Sequence, residues 1–390
     1  MAATTSAYDS GRQVAPRVLI ADDHPDVLQA LRLLLKSEGY LVRGVSSPDA
    51  LMDALVCEPS FDVVLIDLNY TRDTTSGLEG LELLSRIRAL DPDIPVVAMT
   101  AWGSIELAVD AMRTGVDDFV QKPWDNDRLL GHLRTQLRNG RARRQRRTED
   151  ASSAYELSAA RDIQRNLLPR VLPSMPGIEI AAFWEPAGNV GGDFYDVGAS
   201  DTRRVWLCIG DVEGKGMSAA LLMASVQSTV HSSAERGLMP AALCASVNAD
   251  LCGRVTAGRF VSFFYCAYDT AQRRLVSTNA GHNPPVLVRR DGTVRRLGRG
   301  GPLLGVFAQA RFEQEETQLE DGDRLVLFTD GITEARDRAG CEFGEDQLAA
   351  RAAAVRGSNA RELQGELVSE IRAFSQGSFS DDATLIVMSV

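Results

Sequence analysis

Between residues 17 and 137 the chain alternates short apolar runs with amphipathic stretches. The runs at 18–21, 41–43, 63–67, 96–100 and 119–121 read as strands. The stretches between them, 25–38, 48–56, 78–90 and 104–113, carry apolar residues at helical spacing, as Val27, Leu28, Leu31, Leu34 and Leu35 do in the first. A fifth helix begins after Asp125. Five βα units in succession predict an α/β doubly wound, five-stranded parallel sheet, whose ligands bind at the carboxyl ends of the strands.

The pattern then breaks. Residues 138–150, RNGRARRQRRTED, are arginine-rich, and Asn139-Gly140 is a helix-stop signal. Leu130, Leu133 and Leu137 before the break and Ala160, Ile163 and Leu167 after it keep a 3/4 spacing, which predicts a helical linker over 139–168. A dimeric coiled coil interrupted by the basic stretch is one reading, and a nucleic-acid patch is another. With no aromatic residue interleaved among the arginines, a solvated helix is preferred. From residue 169 onward, strands at 178–183, 205–209, 260–268, 274–278, 286–289, 324–328 and 384–388 pair through short turns such as Asp291-Gly292. Helices at 218–235, 240–251, 345–355 and 360–374 are grouped apart from them, the mark of a layered α+β domain. The expected organisation is a disordered tail (1–16), an α/β domain (17–138), the linker (139–168) and the α+β domain (169–390).

Composition narrows the function without naming it. A formal net charge of −11 argues against non-specific nucleic-acid binding as the main task. The six cysteines form no C-x-x-C pair and mostly have apolar neighbours, so buried thiols in a reducing cytoplasm are expected rather than disulfides or zinc. The polar start MAATTSAYDSGRQ is not a signal peptide, and no apolar run is long enough to span a bilayer. A cytoplasmic protein with no membrane partner is expected.

Candidate chemistry lies in two sets of carboxylates. Asp22 and Asp23 follow the first strand, Asp67 ends the third, Thr100 ends the fourth and Lys122 follows the fifth. In a doubly wound sheet these positions converge on one edge. Each alone reads as a turn or cap residue, but the ordered set is specific. It resembles a two-component receiver domain over residues 16–138. The resemblance implies that Asp67 is the phospho-acceptor, that Asp22 and Asp23 hold Mg²⁺ with Asp67 and the Asn69 carbonyl, and that Thr100 and Lys122 read phosphorylation. It makes Phe119 the switch aromatic, where the plain alternative is core filling. The segment after Asp67, NYTRDTTSGLEG, is longer and more polar than the usual Met-Pro-containing loop.

The second set is Asp193 and Asp196 in NVGGDFYD, Asp211 in GDVEGKGMS, Asp330 in FTDGITEA, and Asp381 and Asp382 in SDDATLIV. GKGMS lacks phosphate-loop spacing, and the surroundings of GGDFYD do not match a cyclase signature. Any one Asp-Gly pair is as readily a hairpin turn. Together with NAGHNPP, the ordered motifs resemble the SpoIIE/RsbU-like branch of metal-dependent (protein phosphatase 2C type) phosphatases over residues 155–390. That resemblance implies an αββα sandwich with two Mn²⁺ or Mg²⁺ ions at one end. Asp211 would bridge them, the Val212 carbonyl would join one, Asp330 and Asp381 would complete the second, and Asp193 would hold metal-site water. Asp196 and Asp382 are expected at most to orient these groups. Between such ions a water loses its proton near neutral pH and attacks phosphorus, with no protein nucleophile. His282 invites assignment as a general acid, but its Asn-Pro-Pro turn is at least as good a structural explanation; Lys215 is either a phosphate contact or a solvated loop lysine.

The whole chain therefore reads as a response regulator whose phosphorylation on Asp67 controls a Ser/Thr phosphoprotein phosphatase, with a homodimeric helical linker. The resemblance implies a sensor histidine kinase or phosphotransfer protein upstream. It implies a phosphoserine STAS-type anti-sigma-factor antagonist as substrate. The rivals are a catalytically silent binding module and a DNA-binding regulator, the latter disfavoured by the acidic balance and the absence of a helix-turn-helix pattern.

Overall fold

A computed structural model describes residues 15–68, 78–100, 105–254, 258–355 and 357–390. The chain divides into two compact units, Met1–Ser153 and Ala154–Val390.

In the first unit the elements run β1 (Arg17–Ala21), α1 (Pro25–Ser37), β2 (Leu41–Val45), α2 (Pro48–Cys57), β3 (Val63–Asp67), α3 (Leu78–Leu90), β4 (Val96–Thr100), α4 (Ile105–Thr114), β5 (Asp118–Gln121) and the start of α5 (Asn126–Leu167). All strand pairs are parallel, in the order β2-β1-β3-β4-β5, so β1 and β3 are neighbours and the chain reverses its winding at β1. β3 is buried along its whole length because helices cover both faces of the sheet: Val64 and Ile66 pack into one cluster with Leu51 and Leu84, Val63 and Leu65 into the other with Leu31 and Leu133. Phe119 packs against the first of these clusters.

The expected helix stop at Asn139-Gly140 is not observed; α5 runs through it. Gly140 is buried where the helix crosses Pro95, and a Cβ at that position would come within 2.5 Å of the proline Cγ. Glycine is there to allow close approach, not to end the helix. Nor are the arginines uniformly solvated. Arg143 pairs with Asp117, the Arg144 guanidinium donates to the Phe61 carbonyl at 2.8 Å and reaches Asp91 at 3.3 Å, and Arg147 meets Asp93 at 2.9 Å. These partners precede β5, β4 and β3, so the basic run lies along the amino-terminal edge of the sheet, opposite the edge that carries Asp67.

The second unit contains the end of α5, then β6 (Glu179–Glu185), β7 (Phe194–Ala199), β8 (Arg204–Val212), α6 (Met217–Glu235), α7 (Pro240–Arg254), β9 (Val261–Asp269), β10 (Arg274–Ala280), β11 (Val286–Val288), β12 (Val294–Arg296), β13 (Gly300–Gly301), β14 (Glu315–Gln318), β15 (Arg324–Phe328), α8 (Asp330–Thr333), α9 (Glu345–Ala354), α10 (Ala360–Phe374) and β16 (Ala383–Ser389). One sheet has the order β13-β10-β9-β8-β7 with β14 on β10; the other is β12-β11-β15-β16-β6. α6 and α7 cover the first sheet, α9 and α10 the second, giving four layers. The alternation along β15 shows why: Leu325 and Leu327 face the core shared with the first sheet, while Val326 and Phe328 face the cluster under α9 and α10. Of the cysteines, Cys208, Cys244 and Cys266 are buried and Cys57 and Cys341 exposed; all six are free thiols. Among the described residues no helix is long and apolar enough to cross a membrane.

Candidate active sites

The turn after β1 and the last residue of β3 bring Asp22 and Asp67 side by side, because the two strands are in parallel register from Val18↔Val63 to Ala21↔Ile66. Both carboxylates are buried, Asp22 fully and Asp67 to 4% exposure. The Lys122 ammonium lies 2.6 Å from an oxygen of each. Burial alone would lower its pKa; hydrogen bonds to Asp22 and Asp67 outweigh that and raise it. Ligand atoms of Asp22, Asp23, His24 and Asp67 come within 4.8 Å of one another. A carboxylate-dominated set with two buried members that already draw a lysine ammonium between them suits a hard divalent cation. His24, 2.8 Å from Asp23, was not foreseen, although its place in ADDHPD puts it beside the acids. Thr100 ends β4 on the same sheet edge, and its carbonyl accepts from Lys122 N–H at 2.8 Å. Asn69 and the loop following it lie outside the described residues.

In the second unit the acids come together through antiparallel pairing. Asp211 lies near the end of β8 and Asp330 just after β15, whereas Asp193 and Asp381 precede β7 and β16. Two of the four thus lie at the ends of strands and two at their beginnings. Antiparallel partners alternate ends, so the start of β7 meets the end of β8 (Phe194↔Gly210) and the start of β16 meets the end of β15 (Leu385↔Phe328). All four acids share one edge of the sandwich for this reason.

Their electrostatics show strong crowding. Asp211 is pushed up to about 7, first by burial and then by the negative charges of Asp330 and Asp381. Asp193 is raised well above the usual carboxylate range by burial and by Asp211, although hydroxyls of Thr329 and Thr384 each donate to its Oδ2 at 2.7 Å. Asp330 is raised by burial, Glu334 and Asp381. Lys215 lies 2.8 Å from Asp381, again a cation drawn to the set. Gly192 packs against the Val212 carbonyl, where a Cβ would be 2.6 Å from the oxygen, so that carbonyl faces the loop carrying Asp193. The donor set is all oxygen, negatively charged and in need of neutralisation, and it fits divalent cations held by Asp193, Asp211, the Val212 carbonyl, Asp330 and Asp381. Among the described residues, however, only the Asp22 group closes to within 4.8 Å, so this second set is more open.

The remaining motif residues separate cleanly. Asp382 accepts Ala187 N–H at 2.8 Å and Gly192 N–H at 2.6 Å, one on each oxygen, and so shapes the loop before Asp193. Asp196 points to α6, where its Oδ2 lies 2.7 Å from His231 Nδ1. His282 is buried and pushed down to about 4 by that burial; its ring nitrogens are 2.8 Å from Ser262 Oγ and 3.1 Å from the Phe328 carbonyl. A neutral ring with both nitrogens engaged is a structural brace. The two threonines on Asp193 went unnoticed in the sequence, though both sit within the flagged motifs FTDG and DATLIV.

Known proteins agree with this division. The response regulator receiver domain family matches residues 18–134, and the stage II sporulation protein E (SpoIIE) family matches 201–390. Phosphoserine phosphatase RsbU of Bacillus subtilis (strain 168) is 30% identical over 234 residues, 60% of this chain and 69% of RsbU. Phosphoserine phosphatase RsbP of the same organism is 28% identical over 181 residues, and there the chain spans only 45% of the relative's length. The SiaA-PP2C domain of Pseudomonas aeruginosa shares the fold, with a TM-score of 0.56 at 20% identity over 62% of this chain and 98% of that domain. The chain belongs to the SpoIIE/RsbU-like family of PP2C-type phosphatases and carries a response regulator receiver domain in front of its phosphatase domain.

Proposed function

We propose that this chain is a metal-dependent Ser/Thr phosphoprotein phosphatase controlled by phosphorylation of Asp67. The observation that carries the catalytic half is the gathering of Asp193, Asp211, Asp330 and Asp381 at one sandwich edge, with Asp211 raised to about 7. Divalent cations bound there supply a nucleophilic water at neutral pH and neutralise phosphoryl charge. The protein's own part is to fix the carboxylates that would hold those cations, Asp211, Asp330, Asp381 and Asp193, the last of them held by Thr329 and Thr384. Lys215 is free to turn from Asp381 toward a substrate phosphate, its side chain being 67% exposed. In the receiver, Asp67 accepts the phosphoryl group from a sensor histidine kinase or phosphotransfer protein, with Mg²⁺ on Asp22, Asp23 and the Asn69 carbonyl. Lys122 and Thr100 then meet the new phosphoryl oxygens, and Phe119 changes its packing.

The substrate proposed is a phosphoserine protein of the STAS anti-sigma-factor-antagonist type, by analogy with the phosphoserine phosphatases RsbU and RsbP. A homodimer through α5 is supported by Tyr155, Ile163 and Leu167, apolar side chains on that helix that are 77%, 64% and 45% exposed. Mn²⁺-dependent hydrolysis of p-nitrophenyl phosphate, abolished in Asp211→Asn, is the expected result. Hydrolysis that is equal in Asp211→Asn would refute the catalytic assignment, and none in the wild type would favour a silent binding module.

A further inference from the structure

The final turn of α5 grips the loop that delivers Asp193. Gln164 is 3% exposed, and its side-chain amide donates to the Gly191 carbonyl at 2.6 Å and accepts Gly191 N–H at 3.1 Å. Both ends of one amide are thus paired with both polar groups of one residue, which fixes the rotation of that peptide as well as its distance. Beyond Gly191 the loop is tied again, by Gly192 N–H to Asp382 and by the Asp193 carbonyl, which accepts from Trp184 Nε1 at 3.0 Å. One turn after Gln164, the Leu167 carbonyl accepts at 2.8 Å from Gln227, itself buried in α6. α6 is the helix that leaves the Asp211 loop. A single helical turn therefore holds both arms of the acid cluster, the Asp193 loop directly and the Asp211 loop through α6.

We propose that Gln164 is a positioning residue for the phosphatase metal site, setting the placement of Asp193 and through it the affinity for divalent cation. The inference rests on the metal-dependent phosphatase reading above. The bland alternative is a core glutamine that merely satisfies two buried backbone groups. Such a residue affects stability and leaves metal affinity untouched, whereas partners that orient metal ligands change affinity by about 10–100-fold when removed.

The test uses the full-length chain with Gln164→Met, which keeps volume and loses both hydrogen bonds, and Gln164→Glu, which keeps the acceptor alone. Leu168→Ala, a buried neighbour immediately after the end of α5, serves as the packing control. Mn²⁺ affinity is read by calorimetry, alongside the metal-free melting temperature and the Mn²⁺ dependence of p-nitrophenyl phosphate hydrolysis. The inference expects Gln164→Met to weaken Mn²⁺ binding by about tenfold or more, with the rate recovering at saturating Mn²⁺. Gln164→Glu should fall between it and wild type, and Leu168→Ala should lower the melting temperature with Mn²⁺ affinity unchanged. Wild-type affinity in both Gln164 variants overturns the positioning role and leaves the phosphatase reading intact. So does an equal loss of affinity in Leu168→Ala. A wild-type chain that binds no Mn²⁺ at this site overturns both.

Discussion

The Lys122 ammonium rests 2.6 Å from the Asp67 carboxylate, the group proposed to accept the phosphoryl. The same ammonium touches Asp22 at 2.6 Å, so it sits between two buried acids. Removing it in Lys122→Ala leaves those charges facing each other, at a cost of about 3 kcal/mol, the usual result of breaking a buried pair. Mg²⁺ should restore more stability to this variant than to wild type. Denaturant unfolding with and without Mg²⁺ measures both effects, and acetyl phosphate labelling should be lost in Asp67→Asn.

His231 and Asp196 make the fold weakly pH-dependent above neutrality. The hydrogen bond to Asp196 raises the His231 pKa above its ordinary 6.5. Burial holds Asp196 high at the same time, but that desolvation cost is present whether or not the imidazole is charged, so the change near neutrality follows His231. A group raised on folding stabilises fully below its unfolded value and loses that contribution as the pH climbs past its folded value. With the His231 side chain 49% exposed and also 3.4 Å from Glu235, solvent screening limits the effect. Wild type should lose roughly 0.5 kcal/mol between about pH 6 and 8.5, and His231→Gln should not, by urea denaturation at a series of pH values.

His282→Ala separates a brace from a general acid. The ring is buried and bonded at both nitrogens, so its loss should destabilise the protein by about 2–4 kcal/mol through a cavity and unpaired polar groups. The folded enzyme should lose far less than the roughly 100-fold that removal of a general acid brings. Thermal unfolding and the rate per folded molecule report the two quantities separately.

The arginines of α5 should act as a salt-sensitive strap. Arg144→Ala removes contacts to Phe61 and Asp91, and amide exchange around residues 141–150 should quicken. High salt should do the same to wild type, since each exposed pair contributes at most about 1 kcal/mol. Exchange unchanged in both cases would show that Gly140 packing on Pro95 alone holds the helix.

Local periodicity made the first unit legible almost residue by residue, because each strand is a short apolar run and each helix an amphipathic one. In the second unit β7 was missed: Phe194–Ala199 contains Asp196 and Gly198, whose chemistry reads as turn. The strand exists because it pairs with β8 along its whole length, a tertiary cause. Gly140 misled for a similar reason, since its partner Pro95 is remote in sequence. The four clustered acids were visible as motifs, but their meeting point depends on antiparallel registers that no local pattern encodes. Gln164 carried no signal at all, because its partner is a backbone peptide 27 residues away.

The central claim is that the receiver governs the phosphatase. It is tested most directly by the rate of dephosphorylation of a phosphoserine substrate by the full-length chain, with Mn²⁺, before and after beryllofluoride is added as a phosphoryl analogue. The account predicts a change in rate that is absent in Asp67→Ala. Equal rates with and without the analogue in the wild type would contradict it.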